Sequence, residues 1–152
     1  MIVFKTGNIF DSECQTLVNT VNCKGIMGKG IALQFKKKYP DMFNEYKLAC
    51  KPGQYRCLEH GGDLWLYTYI DFFKQKKILC FATKEEWWHP SKLEWIERGL
   101  QNFVEDYKYW GITSIAFPKL GCNNGGLNWE NDVKPLMFKY LQPLDIICEI
   151  YE

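Results

Sequence analysis

Histidine is scarce in this chain, and the residue types that usually bind metals are not clustered. The chain has two histidines, His60 and His89, and seven cysteines, none of which forms a Cys-x-x-Cys pair. Structural zinc sites need several such ligands at close spacing, so we predict no metal site and no other cofactor. An odd number of scattered cysteines also argues against a disulfide framework and predicts reduced thiols, as in the cytoplasm.

Long apolar runs and an excess of one charge are also missing. No stretch reaches the roughly 18 apolar residues of a membrane-spanning helix, and MIVFKTGNIF lacks the parts of a signal peptide. The formal net charge is +1, from 19 basic and 18 acidic residues, so overall charge gives no sign of nucleic-acid binding. The basic run Lys36–Lys38 is most simply a solvated helix face. We therefore expect a cytoplasmic protein with no membrane partner.

The composition favours a single folded domain. Of the 152 residues, 47% are hydrophobic and 16% aromatic, which is enough for a substantial core. No linker, low-complexity segment or internal repeat divides the sequence. We predict one domain over residues 1–152, acting as a monomer.

Apolar patterns along the chain predict alternating strands and helices. Strands are predicted at Ile2–Lys5, Thr16–Val21, Leu64–Ile70, Lys77–Ala82, Ile112–Phe117 and Asp145–Tyr151. Helices are predicted from Gly30 to before Pro40, over Asp41–Cys50, after Pro90, and over Trp129–Leu141. Ser91 and Glu94 form a predicted capping box for the third helix, and Gly111 is its predicted end. This order favours an α/β fold with a mainly parallel sheet covered on both faces.

A first glycine-rich loop follows the predicted strand Thr16–Val21. It reads NCKGIMGKG from Asn22 to Gly30 and leads into a helix. Glycines let the backbone approach a ligand closely, and a helix N-terminus suits a phosphate. The loop is neither a Walker A loop, because Gly30 follows Lys29, nor a G-x-G-x-x-G fingerprint. A tight turn without a ligand is the alternative.

A second glycine-rich loop follows the predicted strand Ile112–Phe117. It reads PKLGCNNGGL from Pro118 to Leu127 and has glycines for a second nest of N–H groups around anionic oxygens. Ligands of parallel sheets bind beyond the carboxyl ends of the strands, where both loops lie. Two such loops predict that a diphosphate is bound from both sides. They also argue against a domain with a purely structural role.

These motifs together resemble the macrodomain family. The segments NTVN (19–22), MGKGIA (27–32) and PKLGC (118–122) with GGL (125–127) carry the resemblance. More narrowly, GKGIALQF (28–35), FATK (81–84) followed by Trp88, and SKL (91–93) resemble the macrodomain of DarG. DarG is an antitoxin that removes ADP-ribose from DNA, is related to the terminal ADP-ribose glycohydrolase of animals, and carries a further C-terminal domain. The resemblance covers essentially the whole chain and implies a three-layer α/β/α macrodomain with a central mixed, mostly parallel sheet.

The resemblance implies an ADP-ribose pocket between the two loops. The implied substrate-binding residues are Asn8, Ile9, Thr20, Asn22, Gly28, Lys29, Gly30, Ile31, Ala32, Gly121, Cys122, Asn123, Asn124, Gly125, Gly126 and Leu127. Backbone N–H groups of Gly28–Ala32 would hold the diphosphate, and Asn22 would bind the distal ribose, with loop capping as its alternative role. Asn8 stands where macrodomains usually have an adenine-binding aspartate. We therefore expect weaker or less selective adenine recognition.

Lys84 is the predicted catalytic residue, because it matches the essential lysine of DarG-like macrodomains. Without that match, a lone lysine after a strand is usually solvated. A lysine with a lowered pKa can attack as an amine, whereas a protonated one can donate to the leaving base, and the sequence leaves both roles open. The second loop lacks the aspartate of the animal relatives, as DarG-like members do, which favours DNA over protein as the substrate.

Trp87 and Trp88 are predicted DNA contacts. Aromatic faces beside the site can stack on a flipped-out or single-stranded base. The alternative is that one ring packs in the core and the other lies on the surface, without a role in binding.

The leading hypothesis is hydrolysis of ADP-ribose from DNA, opposing a cognate DNA ADP-ribosyltransferase toxin. One alternative is a non-catalytic reader that binds ADP-ribose in the same pocket. Another is a hydrolase of ADP-ribosylated protein or of acetyl-ADP-ribose.

Overall fold

The strands and helices follow the predicted order closely. The structure, a computed structural model, describes residues 1–53 and 57–152. Its strands are β1 (Ile2–Lys5), β2 (Thr16–Val21), β3 (Leu64–Asp71), β4 (Lys74–Ala82), β5 (Ser114–Phe117) and β6 (Ile147–Tyr151). Its α-helices are α1 (Gly30–Lys38), α2 (Pro40–Ala49), α3 (Leu93–Asp106) and α4 (Lys134–Leu141). A short 3₁₀ helix covers Ile9–Asp11 and a π-helical turn covers Trp129–Val133.

The six strands of the described residues form one sheet in the order β1-β6-β5-β2-β4-β3. All neighbouring pairs are parallel except β3 and β4, which are antiparallel. The prediction of a mixed, mostly parallel sheet is therefore confirmed. Because β5, β2 and β4 are neighbours and run the same way, the loops that follow them meet at one edge of the sheet.

Helices cover both faces of this sheet, and side chains alternate between the two cores. Val18 of β2 packs with Phe103 of α3 on one face. Leu17, its neighbour in β2, packs on the other face with Phe35 of α1 and Tyr46 of α2. This alternation is the expected pattern for a strand buried on both sides, and it confirms the three-layer arrangement.

The predicted ends of α3 are wrong. The helix begins at Leu93 with Lys92 at its N-cap, so Ser91 and Glu94 do not form a capping box. Ser91 instead donates its backbone N–H to the Gly125 carbonyl at 2.9 Å. The helix ends at Asp106, and Gly111, in a left-handed conformation with φ +68°, closes the turn that follows.

Other deviations from the predicted elements are small. The predicted helix Trp129–Leu141 begins as the π-helical turn and becomes α-helical only at Lys134. β4 begins three residues before its predicted start, whereas β5 and β6 begin two residues after theirs. All seven cysteines are free thiols, as predicted. None of the described helices has the length and hydropathy needed to cross a membrane.

Candidate functional site

Three loops at the carboxyl ends of β5, β2 and β4 enclose a cavity of about 450 Å³. The first glycine loop (residues 22–29) follows β2, the second glycine loop (residues 118–127) follows β5, and the lysine loop (residues 83–92) follows β4. Cavities of this size are typical of small-molecule sites. The position agrees with the general placement of ligands beyond the carboxyl ends of parallel strands.

Most of the predicted site residues line this cavity. Those that do are Thr20, Asn22, Gly28, Lys29, Gly30, Ile31, Ala32, Lys84, Trp87, Gly121, Cys122, Asn123, Asn124 and Gly125. The sheet order brings them together, although they come from three separate stretches of sequence.

Five predicted residues lie outside the lining. Asn8 caps the 3₁₀ helix, accepting the Phe10 N–H at 2.9 Å, and Ile9 is buried in the core behind α1. Gly126 and Leu127 follow the part of the second glycine loop that faces the cavity. Trp88 is 59% exposed and packs against Trp87, which does line the cavity.

Five lining residues were not among the predicted site residues: Val21, Ile26, Thr83, Pro118 and Lys119. Each directly borders, or lies within, a motif that the sequence did single out. The sequence signal for these residues was therefore their position within or beside a motif, and not their residue type.

Asn22 organises the first glycine loop. Its side-chain oxygen accepts the Lys24 N–H at 2.9 Å and lies 3.5 Å from the Ile26 nitrogen, and its amide donates to the Ile26 carbonyl at 2.8 Å. The loop-capping role is thus present. Because Asn22 also lines the cavity, capping and ligand binding are compatible.

The N-terminus of α1 opens into the cavity. Gly30, the first helical residue, has φ +63°, a conformation that favours glycine. Among the described residues, no side chain caps this end from Lys29, the N-cap position. The first N–H groups of a helix have no partner within it, so those at Gly30, Ile31 and Ala32 are available to a ligand in the cavity.

The second glycine loop has no room for larger residues at its centre. A Cβ on Gly125 would overlap the Gly121 carbonyl oxygen and the Ser91 hydroxyl. The Leu127 N–H donates to the same Gly121 carbonyl at 3.0 Å. This close packing fixes the path of the loop.

The N-terminus of α1, where the first glycine loop ends, lies close to the second glycine loop. A Cβ on Gly30 would lie 2.8 Å from the Asn124 side-chain nitrogen. Residues of both segments line the cavity.

Backbone contacts fix Lys84 against the first glycine loop. The N–H groups of Thr83 and Lys84 donate to the Val21 carbonyl at 3.0 and 3.4 Å. The Cys23 N–H donates to the Glu85 carbonyl at 3.1 Å. The Lys84 ammonium donates to the Trp87 carbonyl at 3.3 Å.

The cavity is cationic. Among the described residues that line it, Lys29, Lys84 and Lys119 are basic and none is an aspartate or glutamate. Burial, and then the charge of Lys29, lower the pKa of Lys84 below its ordinary value. Glu85 and Glu86, next to Lys84 in sequence, contact the Gly61 N–H at 3.1 Å and the Lys24 ammonium at 3.3 Å. Their carboxylates are thus held by groups outside the lining.

Cys122 is the one thiol among the described lining residues. Burial raises its pKa to about 11. At neutral pH it is a neutral thiol, which is a poor nucleophile, so Cys122 is not a good candidate for a nucleophile.

An aromatic cluster borders the lysine side of the cavity. The Trp87 and Trp88 rings meet edge to face with centroids 5.5 Å apart, and the Trp88 ring contacts His89 at 5.1 Å. Trp87 is 45% exposed and lines the cavity. Its ring can contact a group attached to a ligand in the cavity.

Comparison with known proteins agrees with this geometry. The Macro domain family matches residues 18–135. A Mycobacterium tuberculosis protein named DNA ADP-ribosyl glycohydrolase is 40% identical over 151 residues, 99% of this chain and 42% of its own length. A Thermosipho africanus DNA ADP-ribosyl transferase-DNA ADP-ribosyl glycohydrolase fusion protein is 40% identical over 160 residues, 95% of this chain and 40% of its own length. The chain thus spans less than half the length of these curated relatives.

A solved structure matches the whole fold. The macrodomain of Thermus aquaticus DarG superposes with a TM-score of 0.89 and 38% identity, covering 100% of this chain and 98% of that one. The α/β/α layers, the two glycine loops at adjacent strand ends and the family match lead to one conclusion. This chain belongs to the macrodomain family and is of the DarG type.

Proposed function

We propose that this chain binds ADP-ribose in the cavity and hydrolyses the bond that joins it to a DNA base. The observation that carries the proposal is the position of Lys84, held at the end of β4 inside a cavity between two glycine loops. The names of the two curated relatives support the substrate. We also propose that residues 1–152 form one macrodomain and that the protein is a cytoplasmic monomer.

The diphosphate is proposed to lie between the α1 N-terminus and the second glycine loop. Unpaired N–H groups and the positive end of a helix dipole favour phosphate oxygens. The N–H groups of Gly30, Ile31 and Ala32 are suitably placed on one side of the cavity, and Gly121 and Gly125 line the other. Lys29 and Lys119 add positive charge.

The adenosine end of the ligand is proposed to extend toward Asn8 and Ile9. The Asn8 oxygen already accepts the Phe10 N–H at 2.9 Å, which leaves one lone pair for the adenine amino group. This bond is weaker than one to a carboxylate, in keeping with less selective adenine binding.

Lys84 is proposed to act as the nucleophile. The lowered pKa of Lys84, caused by burial and by the charge of Lys29, raises the fraction of neutral amine, which can attack the anomeric carbon of the distal ribose. The new carbon–nitrogen bond forms as the bond to the base breaks, and the base leaves with the electron pair and takes a proton from water. The hydroxide left by that water then attacks the same carbon, the carbon–nitrogen bond breaks with its electrons on the nitrogen, and Lys84 is released as a neutral amine with ADP-ribose as the product.

DNA is favoured over protein as the carrier of the modification. No acid among the described lining residues can assist Lys84, and Trp87 offers an exposed ring beside it. We further propose that the chain opposes a DNA ADP-ribosyltransferase, a pairing that the fused Thermosipho africanus relative contains in one polypeptide.

The proposed function is tested with synthetic single-stranded DNA ADP-ribosylated on thymine. Wild-type protein is expected to release ADP-ribose over time, and much faster than from an ADP-ribosylated protein. Unchanged DNA together with ADP-ribose binding by calorimetry would make the chain a reader. Faster release from the modified protein would instead identify the chain as a hydrolase of ADP-ribosylated protein.

Trp87→Ala is expected to lower kcat/KM on modified DNA about tenfold, because stacking on a base contributes roughly 1–3 kcal/mol. Affinity for free ADP-ribose should change little, because the ring is proposed to contact the base. Calorimetry and a DNA time course measure the two effects.

Phe72→Ala is the matched control. Phe72 is 90% exposed in the turn between β3 and β4, at the opposite end of the sheet from the cavity. An equal loss in both variants would show that Trp87 has no specific part in DNA binding.

A further inference from the structure

Tyr46 lies directly beneath the first glycine loop and is fully buried. It comes from α2 and packs beside Phe43, with ring centroids 6.2 Å apart. Its hydroxyl lies 2.7 Å from the main-chain oxygen of Asn22 and 3.0 Å from the Asn22 side-chain oxygen. Burial raises the pKa of this phenol above its ordinary value, so the hydroxyl keeps its proton and donates.

The surrounding donors fix the orientation of the Asn22 carboxamide. The backbone N–H groups of Lys24 and Ile26 can only donate, and both face the same side-chain atom, which must be the oxygen. Tyr46 approaches that oxygen as well. The acceptor end of Asn22 is therefore occupied inside the loop.

The donor end of Asn22 remains for a ligand. Its amide nitrogen has two hydrogens, and one is used on the Ile26 carbonyl at 2.8 Å. Asn22 is 8% exposed and that small surface lines the cavity. The group that binds there must accept a hydrogen bond, as a hydroxyl oxygen can.

We propose that Tyr46 is a positioning residue that holds Asn22 with its amide N–H directed at a hydroxyl oxygen of the distal ribose. This inference rests on the proposed function. Without the tyrosine hydroxyl, the Asn22 main-chain and side-chain oxygens lose a buried donor. The carboxamide then loses one of the contacts that hold its orientation, and its amide N–H is held less firmly toward the ribose.

Tyr46→Phe tests the inference because it removes the hydroxyl alone. Affinity for ADP-ribose is expected to fall about tenfold, a loss typical of one buried hydrogen bond. Affinity for ADP, which has the diphosphate but no distal ribose, should stay unchanged. Equal losses for both ligands, or no loss for either, would overturn the proposal.

Tyr69→Phe is the matched control. The Tyr69 hydroxyl lies in the same core layer, 3.5 Å from the Tyr39 hydroxyl, and neither lines the cavity. This variant is expected to bind ADP-ribose like the wild type. Thermal unfolding of both variants checks that each is folded during the binding measurement.

A double-mutant cycle with Asn22→Ala separates positioning from general stability. In the Asn22→Ala background, Tyr46→Phe should cause no further loss of ADP-ribose affinity. The same tenfold loss in both backgrounds would show that Tyr46 acts independently of Asn22.

Failure of the proposed function and failure of this inference can be distinguished. Wild-type protein that binds ADP-ribose but leaves modified DNA intact would contradict the hydrolase proposal alone, because the mutant cycle is measured by binding. Wild-type protein that does not bind ADP-ribose would overturn both.

Discussion

Lys84→Ala is expected to lower the rate of ADP-ribose release from modified DNA by on the order of 10³-fold, within the range for loss of one essential catalytic group. The affinity for free ADP-ribose should stay within about threefold of wild type, because backbone N–H groups are proposed to supply most of the binding. Single-turnover kinetics on modified DNA and calorimetry measure the two effects separately.

Lys119→Ala is the control for this variant. Lys119 also lines the cavity, so its removal tests whether any loss of positive charge has the same effect. We expect weaker binding of the diphosphate with little change in the single-turnover rate. If Lys84→Ala retained the wild-type rate, the proposed mechanism would be wrong even if ADP-ribose still bound.

The pH profile of kcat/KM distinguishes the two roles of Lys84, because kcat/KM reports ionisations of the free enzyme. A neutral amine nucleophile predicts that kcat/KM rises with pH through the pKa of Lys84 and then levels. Lys29→Met removes a charge that lowers this pKa, so the rise should move to higher pH. A kcat/KM that instead falls as pH increases through this range would identify Lys84 as the proton donor.

Gly125→Ala is expected to weaken ADP-ribose binding about 100-fold, or roughly 3 kcal/mol, the upper range for overpacking a close-packed site. The added Cβ would overlap the Gly121 carbonyl oxygen and the Ser91 hydroxyl. The main-chain atom cannot move aside unless the second glycine loop changes its path. Calorimetry gives the affinity, and thermal unfolding reports any loss of stability.

Gly126→Ala provides the comparison within the same loop. Gly126 has φ +78° but faces open space, so an added methyl group costs about 1–2 kcal/mol of backbone strain without a steric overlap. Its effect on ADP-ribose affinity should be clearly smaller than that of Gly125→Ala. Equal effects would mean that backbone conformation matters here, and not the packing against Ser91.

Local sequence signals located the secondary structure well but placed some element ends wrongly. Serine is a common residue at a helix N-cap. The backbone N–H of Ser91 nevertheless donates to the Gly125 carbonyl, and α3 starts two residues later. A contact across the fold thus replaced a local hydrogen bond. Gly111 does adopt the left-handed conformation, but it closes the turn after α3 and not the helix itself.

The sequence by itself determined which segments could form a phosphate site. Glycine spacing and the helix that begins at Gly30 are local features, and the Lys84 motif was recognised from the neighbouring residues. The family resemblance that these segments carry also identified most of the lining of the cavity.

Only the tertiary structure decided how those segments act together. The strand order places β2 between β5 and β4, and this order depends on long-range pairing that no local pattern encodes. The same packing places Lys29 and Lys119 in the same cavity as Lys84, and it brings Tyr46 from α2 under Asn22. The carboxamide orientation and the lowered pKa of Lys84 arise from burial and from charges distant in sequence, which exist only in the folded chain.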